Sequence, residues 1–229
     1  NASASEQWLL SLGVANKLSR DWTFLGRELY SLNRNKGSAS GELLVNRLQF
    51  GLAYRDTNSD RFNGLARIEH KVEDDSTNPL LALSSRALTL SAHLNYQATK
   101  PLILSGRVGA RWASDQSNGL SSSSRMQSAG VRATYDINSK WDTSLHASVL
   151  HGAGDATQTG LGAELGYQLA NNLWLSGGFN FFGYRANDLV GADHTSRGAY
   201  LRLRFKFDEN LFGAANPSVN QTRTPGATP

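Results

Sequence analysis

The chain has no cysteine, so disulfides and thiolate metal sites are excluded, whatever the redox state of its compartment. It also lacks any long apolar run. The longest is Leu80-Leu81-Ala82-Leu83, far short of the roughly 18 residues of a spanning helix. Asn1 to Ser5 carry neither the basic nor the apolar region of a signal peptide, which reads as a mature protein or part of a longer one. Charge is not clustered. There are 23 basic and 19 acidic residues, a net +4, and the basic ones are scattered singly, so no nucleic-acid partner is expected. Asp74-Asp75 and Asp188 lack calcium-loop spacing, and there is no Gly-rich phosphate motif. No cofactor, metal or catalytic residue is assigned.

What the sequence does have is period-two alternation, repeated in about eleven segments of about 10 to 14 residues, the length of a tilted strand crossing a bilayer. The last is the clearest. Ala199, Leu201, Leu203, Phe205 and Phe207 alternate with Tyr200, Arg202, Arg204, Lys206 and Asp208. Leu161, Ala163, Leu165, Tyr167 and Leu169 likewise oppose Glu164 and Gln168, and Phe62, Ala66, Ile68 and Val72 oppose Asn63, Arg67, Glu69 and Lys71. A mean hydropathy of −0.41 does not oppose a membrane reading, because lipid-facing and lumen-facing residues average out. The segment from Trp22 to Leu32 fits least well, with Glu28 on its apolar face and Leu25 and Leu29 on the other. The expected fold is all-β, an antiparallel transmembrane β-barrel over residues 1–209 with eleven visible strands and twelve needed for closure. Residues 210–229 form a flexible periplasmic tail in this reading. A soluble β-sandwich has the same periodicity with its faces reversed.

Short connections, such as Leu18 to Asp21 and Asn138 to Lys140, alternate with long ones, such as Glu73 to Ser85, Ser114 to Ser124 and Arg185 to Thr195. Outer-membrane barrels have this asymmetry, with the short turns periplasmic. An odd strand count then starts the first strand outside. Trp22, Tyr54, Phe62, Tyr96, Tyr135, Trp141, Tyr167 and Phe207 fall beside the short turns, and Trp8, Tyr30 and Trp112 near the other end, as two interfacial girdles would. The polar face would line the lumen with Arg67, Arg107, Arg111, Arg132, Arg202 and Arg204, and with the acids Glu69, Asp136 and Glu164. Such groups form either a salt-bridged, rigid interior or a cationic passage favouring anions.

Ser196-Arg197-Gly198-Ala199-Tyr200-Leu201-Arg202-Leu203 resembles the β-signal of bacterial outer-membrane proteins, a polar residue and a glycine followed by alternating apolar residues in the last strand. With the continuation to Phe207, residues 6 to 209 resemble the C-terminal barrel of large proteobacterial surface proteins. The resemblance implies an integral outer-membrane location. It also implies recognition of Gly198, Tyr200, Leu201, Leu203, Phe205 and Phe207 by the barrel-assembly machinery. Typical members end on an aromatic residue, whereas about twenty residues follow here. The expected role is a non-enzymatic anchor or translocation domain for a larger surface-exposed region, with outer-membrane lipid around it and protein partners reached through external loops or the tail. The alternative is a small anion-preferring channel. His146 and Ser148 share the spacing of a His and a Ser in the outer-membrane phospholipase family, but they fall on the polar face, whereas that family turns them towards lipid.

Overall fold

A computed structural model describes residues 4–36, 41–78, 82–152, 156–170, 173–184 and 197–205. The strands are β1 (Ala4–Lys17), β2 (Trp22–Lys36), β3 (Gly41–Arg55), β4 (Phe62–Asp75), β5 (Leu83–Gln97) and β6 (Leu102–Ser117). They continue with β7 (Leu120–Asp136), β8 (Trp141–His151), β9 (Thr157–Ala170), β10 (Leu173–Phe182) and β11 (Gly198–Phe205). All eleven lie in one sheet in sequence order, each antiparallel to its neighbours. The described residues contain no helix.

Short turns close because polar side chains take up amide donors that the reversing backbone leaves unpaired. Asn138 Oδ1 accepts from the amides of Lys140 at 2.9 Å and Trp141 at 3.0 Å, between β7 and β8. Asp56 Oδ1 accepts from Asn58 and Ser59 at 3.0 and 3.2 Å. Adjacent turns are also tied together, since Asp21 Oδ1 accepts from the Thr57 amide at 3.1 Å and the Thr57 hydroxyl at 2.5 Å.

The two faces of the sheet differ as alternation requires. Leu145 and Leu203 are 62% and 66% exposed, while Glu164, Asn180 and Ser176 are 4%, 3% and 0% exposed. A soluble sandwich would bury the leucines, so the polarity is that of a transmembrane barrel, apolar outside and polar within. Near the short turns the outward rings touch. Trp22 and Tyr54 lie 4.8 Å apart, Tyr54 and Phe62 5.6 Å, and Trp141 and Tyr167 4.7 Å between centroids. On β2 the irregularity seen in the sequence is real, and it is compensated. Glu28 does face outward, and its Oε1 accepts from Asn46 Nδ2 on β3 at 2.7 Å.

One expected loop is corrected. Ser114 to Ser124 is not a long connection, because β6 runs to Ser117 and β7 starts at Leu120. Asn118 and Gly119 turn between them with φ of 49° and 77°, the pair of positive angles that joins twisted strands in two residues. The serines therefore lie on an extended ladder above the apolar band. Lys206, Phe207 and the tail lie outside the described residues. No ladder among the described residues joins β1 to β11. These strands run in the same direction, so an antiparallel closure needs a twelfth strand between them.

Leu90 and Thr89 are mid-strand neighbours on opposite faces of β5. Leu90→Arg should cost about 2–4 kcal/mol of folding stability in bilayers, and Thr89→Arg much less, as read by urea titration in vesicles. Equal costs would mean that the faces are not distinguished by lipid.

The Thr57 hydroxyl, then its amide, holds the Asp21 carboxyl below its ordinary range. The Ser59 hydroxyl and the amides of Ser59 and Asn58 do the same for Asp56. A depressed folded-state value stabilises above the unfolded value of about 3.9, and the effect is lost as pH falls through the folded value. Exchange protection of the Thr57 amide, corrected for intrinsic rate, should therefore fall below about pH 4. Thr57→Val should weaken that dependence, and a flat profile in the wild type would contradict the argument.

Candidate functional site

The inner face of β7 to β11 is built around Glu164 on β9, whose side chain is 2% exposed. A buried carboxylate must be paired and hydrogen-bonded to persist, and two strands supply the partners. Glu164 Oε2 accepts from Arg132 Nη2 of β7 at 2.8 Å and from the Tyr200 hydroxyl of β11 at 2.9 Å. Arg202 Nη1, also on β11, lies 3.2 Å away. Arg132 is fixed in turn by Ser144 of β8, donating to its Oγ from Nη2 at 2.8 Å and Nε at 3.2 Å. None of the ladders brings β7, β9 and β11 side by side, so these bonds span the concavity of the curved sheet.

A second pair sits nearer the short turns. Arg204 Nη2 lies 3.7 Å from Asp142 Oδ2, and its guanidinium covers the Trp174 ring at 5.5 Å. Asp142 is 3% exposed. Two glycines make the space. A Cβ on Gly166 would lie 2.6 Å from Asp142 Oδ1, and one on Gly178 would enter the Tyr200 ring. Further along β8, His146 Nε2 lies 3.2 Å from Asn180 Oδ1. The Ser148 Oγ is buried without a hydrogen-bond partner. Both residues are on the inner face.

Of the residues that the sequence places in one lumen network, the structure gathers Arg132, Glu164 and Arg202, with Arg204 alongside. Glu69 belongs elsewhere. On β4 its Oε2 accepts from Gln49 at 2.5 Å and its Oε1 is 3.8 Å from Arg47 Nε, because side chains pair across one or two strands and not across the sheet. Arg67 stands between Gly51 and Ser91, and Arg107 between His93 and Gly130. Arg111 lies between Thr89 and Met126, and Asp136 directly opposite Asp142. On β11, Leu201, Leu203 and Phe205 point outward beside Gly177, Leu175 and Leu173, while Tyr200 points inward to Glu164. Gly198 has φ of 149°, a conformation that favours glycine. Sequence reasoning did not find Trp174, the Tyr200 hydrogen bond or the glycine seats. The inward run Gly160, Gly162, Gly166 in β9 was the available signal.

No family model matches the chain, and no curated protein matches it. Among solved structures, a NanC porin in a rhombohedral crystal form is similar at 16% sequence identity, over 90% of this chain and 97% of the porin, with a TM-score of 0.42.

Glu164→Gln keeps the shape but removes the charge between two guanidiniums. Loss of one partner in a fully buried pair costs about 3–5 kcal/mol. Here Arg132 and Arg202 are 29% and 46% exposed, so water offsets part of that and about 1–3 kcal/mol is expected. Heat-modified mobility in detergent gels measures it, and an unchanged transition would show that Glu164 is not the centre of this network.

Proposed function

We propose that the chain is an integral outer-membrane β-barrel that passes small anions through a narrow, cation-lined interior. The observation that carries this reading is the excess of guanidinium and ammonium groups over carboxylates on the inner face. Glu164 and Asp142 engage Arg132, Arg202 and Arg204, and Glu69 faces Arg47. Arg67 has no ion pair among the described residues. Fixed positive charge in a low-dielectric passage attracts anions and repels cations. The role is non-enzymatic, and β11 would present Gly198, Leu201, Leu203 and Phe205 to the assembly machinery.

A second reading, an anchor or translocation domain for a larger surface region, is favoured by a different observation. Leu9, Leu25, Leu29 and Val45 face inward on β1 to β3. Apolar side chains in a polar lumen would suit a polypeptide segment threaded beside them.

Planar-bilayer recording separates the two. A barrel of about this strand number has little free width, so small steps are expected, with a reversal potential on the chloride side in a potassium chloride gradient. Arg67→Glu should move the potential towards neutrality. Cation preference in the wild type would overturn the channel reading. Complete absence of steps from inserted protein would leave the anchor.

A further inference from the structure

The outer face is as informative at its upper rim as the inner face is at its centre. From the short-turn end upward, most outward positions are aromatic and then aliphatic, with the Glu28–Asn46 pair of β2 and β3 as an exception. Charge first becomes regular about eleven residues along the strands. Arg86 lies eleven residues above Gln97 on β5, and Arg125 eleven residues above Asp136 on β7. A tilted crossing uses about 9–11 residues, so both guanidiniums stand at headgroup level.

Two other cations near this level, Arg34 and Lys36, are matched within the protein. Arg34 Nε pairs with Glu42 Oε2 at 3.1 Å, and Lys36 Nζ with Glu6 Oε2 at 2.6 Å. Asp74, the outward carboxylate of β4 here, accepts the Ser84 hydroxyl at 2.5 Å. Arg86 and Arg125 pair with no carboxylate among the described residues. Arg125 is instead braced by neutral groups, its guanidinium 5.9 Å from the Trp112 ring centre and its Nε 3.1 Å from the Gln127 amide oxygen. Between the two arginines β6 presents Trp112 and Ser114, which pair by register with Arg125 and Arg86. The two Cα atoms are two strands and two residues apart, ~10 Å sideways and ~7 Å along the strand, a gap that two arginine side chains can close around one anion.

We propose that Arg86, Arg125 and Ser114 form a site for the phosphate of a phosphorylated lipid headgroup, with Trp112 against its sugar or glycerol portion and its acyl chains on the apolar band below. The proposal rests on the membrane-spanning reading. Lipid is the committed source because the site is continuous with the acyl-facing surface. Guanidinium and phosphate make paired, charge-assisted hydrogen bonds, and anionic headgroups attract basic residues at the membrane surface.

Wild type and R86Q/R125Q would be inserted in phosphatidylcholine vesicles with and without diphosphoryl lipid A. Protease protection in phosphatidylcholine alone tests the span. Its failure in the wild type would overturn that reading and this one with it. With the span intact, lipid A should raise the wild-type melting temperature, and R86Q/R125Q should lose most of that shift. A full shift in the variant, no shift in the wild type, or the same shift with inorganic phosphate would each overturn the site. Should the variant not insert, native mass spectrometry of wild type from mixed vesicles decides. Preferential retention of lipid A supports the site, and retention in proportion to vesicle composition overturns it.

Discussion

In hydrocarbon every backbone N–H and C=O has to be satisfied by another backbone group, since no water is present to replace it. The rest of this structure follows from that constraint. It forces strands into continuous ladders, and with short turns at one end the cheapest ladder joins sequence neighbours, which is the order observed. It also makes the two outer strands the structure's point of tension. Among the described residues β1 and β11 each keep one edge outside the ladders, and unpaired edges recruit strands. Their common direction means that eleven strands close on themselves only through a parallel seam.

Curvature and electrostatics are coupled on the inner side. Glu164 can meet Arg132, Tyr200 and Arg202 only because strands two positions apart turn their inner faces towards one another. Bending brings those groups within reach, and their attraction favours the bend. Glycine is the steric condition for both. Where Gly166 and Gly178 lie beneath Asp142 and Tyr200, any side chain would push the polar layer inward and open the contacts around it.

Period-two alternation made the strands and their faces legible, because facing is decided by parity within a single segment. Even Glu28 was assigned correctly. The sequence could not name its partner, since Asn46 is set by the register between β2 and β3. The same limit applies to the lumen. Parity puts Glu69 and Glu164 on one face, but only the count of intervening strands separates them into different clusters. The Ser114 to Ser124 segment failed for a different reason. Its serine-rich composition suggests a loop, while the decisive signal was local and short, Asn118-Gly119.

The arginines show how little besides parity and depth is needed to give one residue type several tasks. Arg132 at an inner position becomes half of a buried pair, because in the interior a carboxylate is the partner that offsets its desolvation. Arg67, also inward, stands between Gly51 and Ser91 with no ion pair among the described residues. Arg86 and Arg125 face outward, where the partner depends on height along the strand. A few residues lower they would lie in hydrocarbon at a cost of about 2–4 kcal/mol each. Eleven residues along the strands they would stand at headgroup level instead. Aromatic rings lie near both ends, and the guanidiniums of Arg86 and Arg125 at the long-loop end give the outer face a direction, so an asymmetric bilayer would distinguish the two orientations by its headgroups alone.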